Sequence, residues 1–550
     1  MKPTISSSSS ATHFLIYGVV IYLTSTIISG GNETDHEALL KIKSLVTQDP
    51  YGALSSWNNS FHFCDWDHVY CGKRHRRVTY IELESNGLEG SLSPYVGNLS
   101  FLRMLSLRNN SFQGTIPHEL GRLSRLRFLR LYLNKFSGVI PSNISGCFNL
   151  EKIGLSSNEL VGSIPKEISF LSKLTFLSLD DNKLTGGTPP FLGNLTSMEV
   201  FSVVNNPLGG SIPHTLGHLK SLKEIYLGVC NLSGTIPDSL YNLSLLTNIS
   251  LSENQLTGSI HTGIGRMLPY LVSLQLWGNQ LTGPLPSSIS NCSRLTGFEV
   301  FENKFSGKIK IDFSKLRDIY FISMGINNFG TKEPDEMSFI DSLKNCSKLV
   351  TLALPNCNFQ GVLPWSIGNL SSQLKHLFLN GNQLHGNLPT SIGNLVGLET
   401  LSLAGNQFAG NIPSTIGNIQ NLGVLYLSFN QLSGQIPHAM GNLSSLTKLY
   451  LSSNMLDGVI PSSLGNCRNL LALILYGNKL SGKIPTQLLQ EPKVVKEIRE
   501  ETNMKTIIEE CVASTVKIGV SCSMDSPTQR MDIKNVVNEL QHILNTLQNI

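Results

Sequence analysis

Residues 129–141 read Leu129-Arg130-Leu131-Tyr132-Leu133-Asn134-Lys135-Phe136-Ser137-Gly138-Val139-Ile140-Pro141. Leu129 and Leu131 alternate, which puts both on one face of a short strand. Asn134 stands where the chain must turn. Its amide can bond backbone groups that a buried turn would otherwise leave unpaired. Phe136 suits the core, Gly138 permits a tight bend, and Ile140-Pro141 begin a return path. So short a stretch cannot bury its own leucines. It needs equivalent stretches stacked on either side.

Those stretches exist. The same slot recurs at Asn86, Asn110, Asn134, Asn158, Asn182, Asn206, Cys230, Asn254, Asn279, Asn303, Asn327, Cys357, Asn382, Asn406, Asn430, Asn454 and Asn478. Of the sixteen intervals between these 17 registers, thirteen are 24 residues, two are 25 and one is 30. A fixed period of this length marks a stacked array in which each unit contacts only its neighbours. Strands about 4.8 Å apart would give one long, concave parallel sheet. The chain of 550 residues is 41% hydrophobic, enough for a packed core, and its formal charge of +4 excludes a chain that is basic throughout. Ten cysteines are too few for a disulfide-built scaffold.

The G-x-I-P element at Gly114-Thr115-Ile116-Pro117, Gly234-Thr235-Ile236-Pro237 and Gly434-Gln435-Ile436-Pro437 resembles the plant-type leucine-rich repeat, over about residues 33–488. The resemblance implies an α/β solenoid: a right-handed superhelix with extra short strands beside the main sheet. Leu39, Leu40, Ile42 and Leu45 have helical spacing. With Trp57, Cys64-Asp65-Trp66 and Cys71 they resemble the family's helical N-terminal cap, which implies a Cys64–Cys71 disulfide. A zinc site on these two thiols and flanking histidines is the competing reading. Cys147, Cys292, Cys346 and Cys467 share one repeat slot and read as small buried hydrophobes.

The ends differ from the array. Lys2 precedes the apolar run Phe14–Ile28 and small residues at 29–31, which reads as a signal peptide over 1–30. An uncleaved anchor is the alternative. The cap then covers 31–75 and the repeats 76–490. Beyond Gln490, residues 491–550 resemble the last helices of a receptor kinase domain, with Arg530 at the position of the arginine that pairs with the A-P-E glutamate. They are expected to form a short helical tail. The phosphate loop, positioning lysine, H-R-D and D-F-G motifs are missing from the sequence, so no catalytic residues are assigned and the chain is expected not to be an enzyme. No cofactor or metal is expected.

The longest interval carries an insertion over 330–345, where Asp335, Glu336 and Asp341 surround Met337, Phe339 and Ile340. It reads either as a binding feature or as a helical bulge on the convex side. With Ser342-Leu343-Lys344-Asn345-Cys346 it resembles the receptor-kinase subgroup that includes immune receptors for bacterial flagellin and elongation factor. The family implies recognition of a peptide or protein on the concave face, and a co-receptor kinase near the C-terminal repeats.

Between the strand leucines, Arg103, Arg108 and Arg130 with residues 73–77 form a basic end. Asp180, Asp181, Glu224, Glu253, Glu299 and Glu302 make the middle acidic, and aromatics recur from Phe128 to Tyr476. Aromatics beside charges suit peptide binding. The expected ligand contacts are Tyr226, Glu253, Gln275, Trp277, Glu299 and Phe301. Glycosylation is expected at Asn98, Asn143, Asn194, Asn231, Asn242, Asn291, Asn345, Asn369 and Asn442, each in an N-x-S/T sequon. The chain as written is expected in the apoplast, with no membrane span after the signal peptide and no nucleic-acid partner. A full-length receptor would sit in the plasma membrane. Two alternatives are a fragment of an active membrane serine/threonine receptor kinase and a secreted inhibitor of microbial wall-degrading enzymes.

Overall fold

A computed structural model describes residues 32–488 apart from Lys332 and Pro334. The signal segment 1–30, the tail 491–550 and Arg530 lie outside the described residues. The chain divides into two compact units, to Leu232 and from Ser233.

The first unit begins with the cap. A helix covers 32–44 and buries Asp35, Ala38, Leu39 and Ile42. Leu40 is half-buried and Leu45 is exposed, so the buried face is rotated from the all-leucine stripe expected. Asp35 lies on that buried face. Its carboxylate accepts from Arg77 Nε (2.8 Å), Arg77 Nη2 (2.7 Å) and the Val78 backbone N–H (2.9 Å), pinning the helix to the first repeat strand. Cys64 and Cys71 are disulfide-bonded, which settles their role against zinc. The bond joins the turn Phe63–Asp65 to the strand Val69–Cys71, which pairs antiparallel with Val78–Glu82. Trp57 and Trp66, both buried, stack beneath with centroids 5.7 Å apart.

From Val78–Glu82 the strands Met104–Ser106, Phe128–Arg130, Lys152–Gly154, Phe176–Ser178, Val200–Ser202 and Glu224–Tyr226 add in parallel, in sequence order. Leu129 and Leu131 are fully buried, as their alternation predicts. A second parallel sheet runs alongside through Glu89–Ser91, Ser111–Thr115, Lys135–Val139, Glu159–Gly162 and Lys183–Leu184. The second unit has a main sheet from Asn248–Ser250 to Ala472–Ile474, parallel and in sequence order.

The ladder asparagines hold the repeats to one another. Asn134 Nδ2 donates to its own Leu131 carbonyl (3.1 Å) and to Leu107 of the preceding repeat (2.8 Å). Its Oδ1 accepts the Phe112 N–H at 2.9 Å, so one amide clamps two turns. Cysteine at this slot keeps only half of that. Cys230 donates to Val203 and Gly228, both at 3.1 Å. The Leu208 N–H, which an asparagine oxygen would take, bonds Asn206 O at 2.7 Å instead. The second sheet ends one repeat earlier, at Leu184.

On the other side of each unit the return path is a short 3₁₀ turn that follows proline. Pro117 caps His118–Arg122 from an extended conformation, and its carbonyl takes the Leu120 N–H at 3.1 Å. Neighbouring turns touch through glycine. A Cβ on Gly121 would lie 2.1 Å from the Asn143 carbonyl oxygen, and one on Gly417 would lie 2.2 Å from that of Ala439.

The insertion takes the place of this turn in its repeat. Glu336–Asn345 is a ten-residue helical segment with Met337, Phe339, Ile340 and Leu343 buried. Phe339 packs between Phe313 and Phe359 at 6.2 and 6.0 Å. Burial alone would raise the Glu336 carboxyl, but backbone N–H groups of Gln360, Thr331 and Glu333 outweigh it and hold it below its ordinary value. Lys308 bonds Glu333 at 3.1 Å and Asp335 at 2.6 Å. Glu333, Asp335 and Glu336 therefore all bond groups of the fold itself.

The four cysteines of the shared slot are free and buried. Cys147 donates to Leu120 O at 3.1 Å and Cys467 to Met440 O at 3.4 Å. Burial pushes the Cys147 thiol up to about 12, which leaves it unreactive at neutral pH.

Asn406 donates to Leu379 O (3.0 Å) and Leu403 O (3.1 Å) and accepts from Leu384 N (3.1 Å). Asn406→Ala should cost about 2–3 kcal/mol in urea unfolding, since it strands buried backbone groups. Asn406→Cys should recover part of the loss. Gly417→Ala should cost about 1–3 kcal/mol by overpacking the turn contact.

Candidate ligand-binding surface

The residues flanking each strand leucine stand on the sheet face opposite the leucine core. Five of the six expected ligand contacts lie in the second unit, on consecutive repeats. Gln275 and Glu299 are register partners on adjacent strands, and Gln275 Nε2 donates to Glu299 Oε1 at 3.1 Å. Trp277 follows two residues after Gln275, and its carbonyl accepts the Glu253 N–H at 2.8 Å. Phe301 occupies the equivalent position one repeat on, and its carbonyl accepts the Gly278 N–H at 3.0 Å. Trp277, Glu253 and Gln275 are half-buried. Glu299 and Phe301 are 8% and 3% exposed, which makes them a floor rather than projecting contacts.

Tyr226 ends the last main-sheet strand of the first unit, and its hydroxyl donates to Glu224 Oε2 at 2.9 Å. The same unit carries two polar clusters on its sheet face. Arg108 and Arg130 both approach Glu84, at 3.7 and 3.4 Å, and the Arg108 guanidinium lies over the Tyr132 ring at 5.3 Å. One carboxylate thus offsets part of the expected basic end. Asp180 accepts from Ser178 Oγ (2.9 Å), Ser202 Oγ and the Val204 N–H (2.8 Å). Burial raises its carboxyl despite those donors.

In the second unit part of the aromatic series expected from the sequence joins into a continuous strip. Ala353, Phe378, Tyr426, Tyr450 and Ile474 occupy one register position on the sheet face, with Ser402 between Phe378 and Tyr426. They form a buried apolar cluster with Ala404, and the Tyr426 and Tyr450 rings lie 4.7 Å apart. Counting that single slot along the repeats would have found it, because side chains one strand apart must touch.

Eight of the nine expected glycosylation asparagines are exposed and Asn98 is half-buried. Several end a 3₁₀ turn, as Asn194 ends Pro190–Asn194 and Asn442 ends His438–Asn442. Among the described residues no group of three or more metal-binding side chains occurs, and no helix is long and apolar enough to cross a membrane.

The leucine-rich repeat region model matches residues 79–306 and 331–518, and the leucine-rich repeat N-terminal domain model matches 32–72. The chain belongs to the leucine-rich-repeat family. The repeat match runs past the boundary expected at Gln490. Relatives include the receptor kinase-like protein Xa21 of Oryza sativa subsp. japonica, 45% identical over 89 residues, which are 16% of this chain and 9% of that protein. The LRR receptor-like serine/threonine-protein kinase EFR of Arabidopsis thaliana is 49% identical over 77 residues, 14% of this chain and 8% of the kinase. The matched part is therefore less than a tenth of either relative's length. Among solved structures, the Arabidopsis receptor kinase HAESA in complex with the peptide hormone IDA and the co-receptor SERK1 aligns at 29% identity. It covers 84% of this chain and 88% of that one, with a TM-score of 0.60. The plant peptide hormone receptor RGFR1 in complex with RGF2 aligns at 30% identity over 78% and 86%, with a TM-score of 0.57.

Burial raises the Glu299 carboxyl from 4.5 to about 7, against the opposing Gln275 hydrogen bond. The folded value lies above the unfolded one. The stability this group contributes is therefore full below about 4.5 and is lost as pH rises through about 7. Thermal melts across this range should show Glu299→Gln flattening the pH dependence and gaining on the wild type as pH increases. Parallel curves for the two proteins would contradict the burial of Glu299.

Proposed function

We propose that the chain is the extracellular recognition module of a plant receptor-like kinase, and that it binds a peptide or protein ligand on the face of its main sheet. The observation that carries this reading is the alignment, over more than three quarters of the chain, to receptor structures holding peptide hormones. The contacts in the second unit are Glu253, Gln275 and Trp277, with Glu299 and Phe301 buried on the neighbouring repeat; Tyr226 is a contact of the first unit taken by itself. A half-buried tryptophan beside a glutamate and an amide suits a peptide with apolar and cationic side chains. A co-receptor kinase docks near the C-terminal repeats; the aligned HAESA structure also holds a co-receptor, SERK1. The signal segment 1–30 directs secretion, the exposed sequons carry glycans, and residues 491–550 derive from the end of a kinase domain. Signalling is immune or developmental.

The test is a binding screen of the purified glycosylated chain against synthetic plant and bacterial peptides. At least one peptide should bind at micromolar Kd or tighter, and Trp277→Ala should weaken it about tenfold or more, the loss expected of a central aromatic contact. A bound peptide whose affinity ignores Trp277, Gln275 and Glu253 would refute this placement. Failure of every peptide, with the fold intact by circular dichroism, would count against the function itself.

A further inference from the structure

The segment leading into each main-sheet strand presents a second surface in the first unit. Arg77, Phe101 and Arg125 are spaced by 24 residues and occupy one repeat slot. They stack, with the Arg77 guanidinium 4.7 Å and the Arg125 guanidinium 3.9 Å from the Phe101 ring centroid. Arg103 and Arg127 form the neighbouring ladder, where the Arg127 N–H bonds Arg103 O at 2.8 Å. The loop 72–77 supplies Lys73, Arg74 and Arg76. It is held rigid by the Cys64–Cys71 disulfide and by bonds from Gly72 N to Arg77 O and from Arg76 N to Gly72 O, both 2.9 Å.

Carboxylates account for only part of this charge. Arg77 is paired with Asp35 and Arg127 with Glu151, each at 2.7 Å. Lys73, Arg74, Arg76, Arg103 and Arg125 are exposed and make no salt bridge among the described residues. Asp65 is an exposed acid in the adjoining turn. Burial and the Arg76 charge, in that order, lower the pKa of His62 there, which agrees with a positive local field.

Charges spread along a ridge with a rise of about 4.8 Å per repeat suit a linear polyanion better than a small ion, which could reach only one or two of them. A single-stranded nucleic acid would need open aromatic faces for its bases. Phe101 offers none, because a guanidinium covers each side that its two ladder neighbours face. We propose that Lys73, Arg74, Arg76, Arg103 and Arg125 form a docking ridge for a linear polysaccharide bearing carboxylates. The ridge is separate from the peptide contacts proposed above and does not depend on them.

Polygalacturonate is the probe, and its fully methyl-esterified form is the neutral control. Affinity electrophoresis and calorimetry should show the full chain binding the acid form, weakening as NaCl rises from 50 to 200 mM. The neutral form should not bind. Lys73→Gln/Arg74→Gln/Arg103→Gln, three exposed changes that break no salt bridge, should lower affinity at least tenfold and flatten the salt dependence while leaving the melting temperature unchanged. Neutralising Lys152, Lys166 and Lys173 instead, further along the same unit, should have little effect. The proposal is overturned if acid and ester forms bind alike, if the triple variant binds as the wild type does, or if both triple variants weaken binding equally. Equal binding of single-stranded DNA at matched charge overturns it too, by reducing the ridge to a non-specific anion exchanger.

Discussion

The asparagine amide at the end of each strand is the interaction on which the rest depends. A strand of three residues turning sharply into a buried corner leaves carbonyls and N–H groups that no sheet ladder can reach. Asn134 meets this need with one side chain, donating within its own repeat and to the one before, and accepting from the next turn of that earlier repeat. Each such bond is worth about 1 kcal/mol net, but leaving the buried partners unmade costs more. Stability is thereby spread evenly along the stack, as expected for an array of nearest-neighbour contacts. Where Cys230 replaces asparagine, its thiol keeps the donor role and the Leu208 N–H bonds a backbone carbonyl instead.

That clamp frees the sheet face for recognition. The leucines and the ladder occupy one side of every strand, and the flanking positions take any residue the stack can carry. Along the first unit they hold charged groups that largely answer one another, such as Glu84 with Arg108 and Arg130. In the second unit half-buried Gln275, Trp277 and Glu253 share consecutive repeats with buried Glu299 and Phe301, and further repeats carry the apolar strip through Phe378, Tyr426 and Tyr450. Within each unit the repeats thus offer chemically distinct stretches of sheet face.

Much of this was legible in order. The 24-residue spacing, the alternating leucines, the post-proline turns and the free buried cysteines follow from local pattern, because each repeat faces the same neighbours as the last. The cap was legible in outline only. Its leucines suggested one helix face, and the face that is buried carries Asp35 in an ion pair to a residue 42 positions away. The insertion had two readings in the sequence, and nothing in its pattern showed that three backbone N–H groups would bind Glu336.

The sequence by itself determined the fold, because the period of a stacked array is written in each repeat and needs no distant contact to be read. It also determined which positions stand on the sheet face opposite the leucines. Tertiary structure alone decided what those positions became. Glu299 and Phe301, exposed by pattern, sit almost wholly buried, while Phe101 lies between two arginines that belong to other repeats. Both outcomes arise across the repeat interface, where side chains 24 residues apart come within a few ångströms, and no single repeat carries that information.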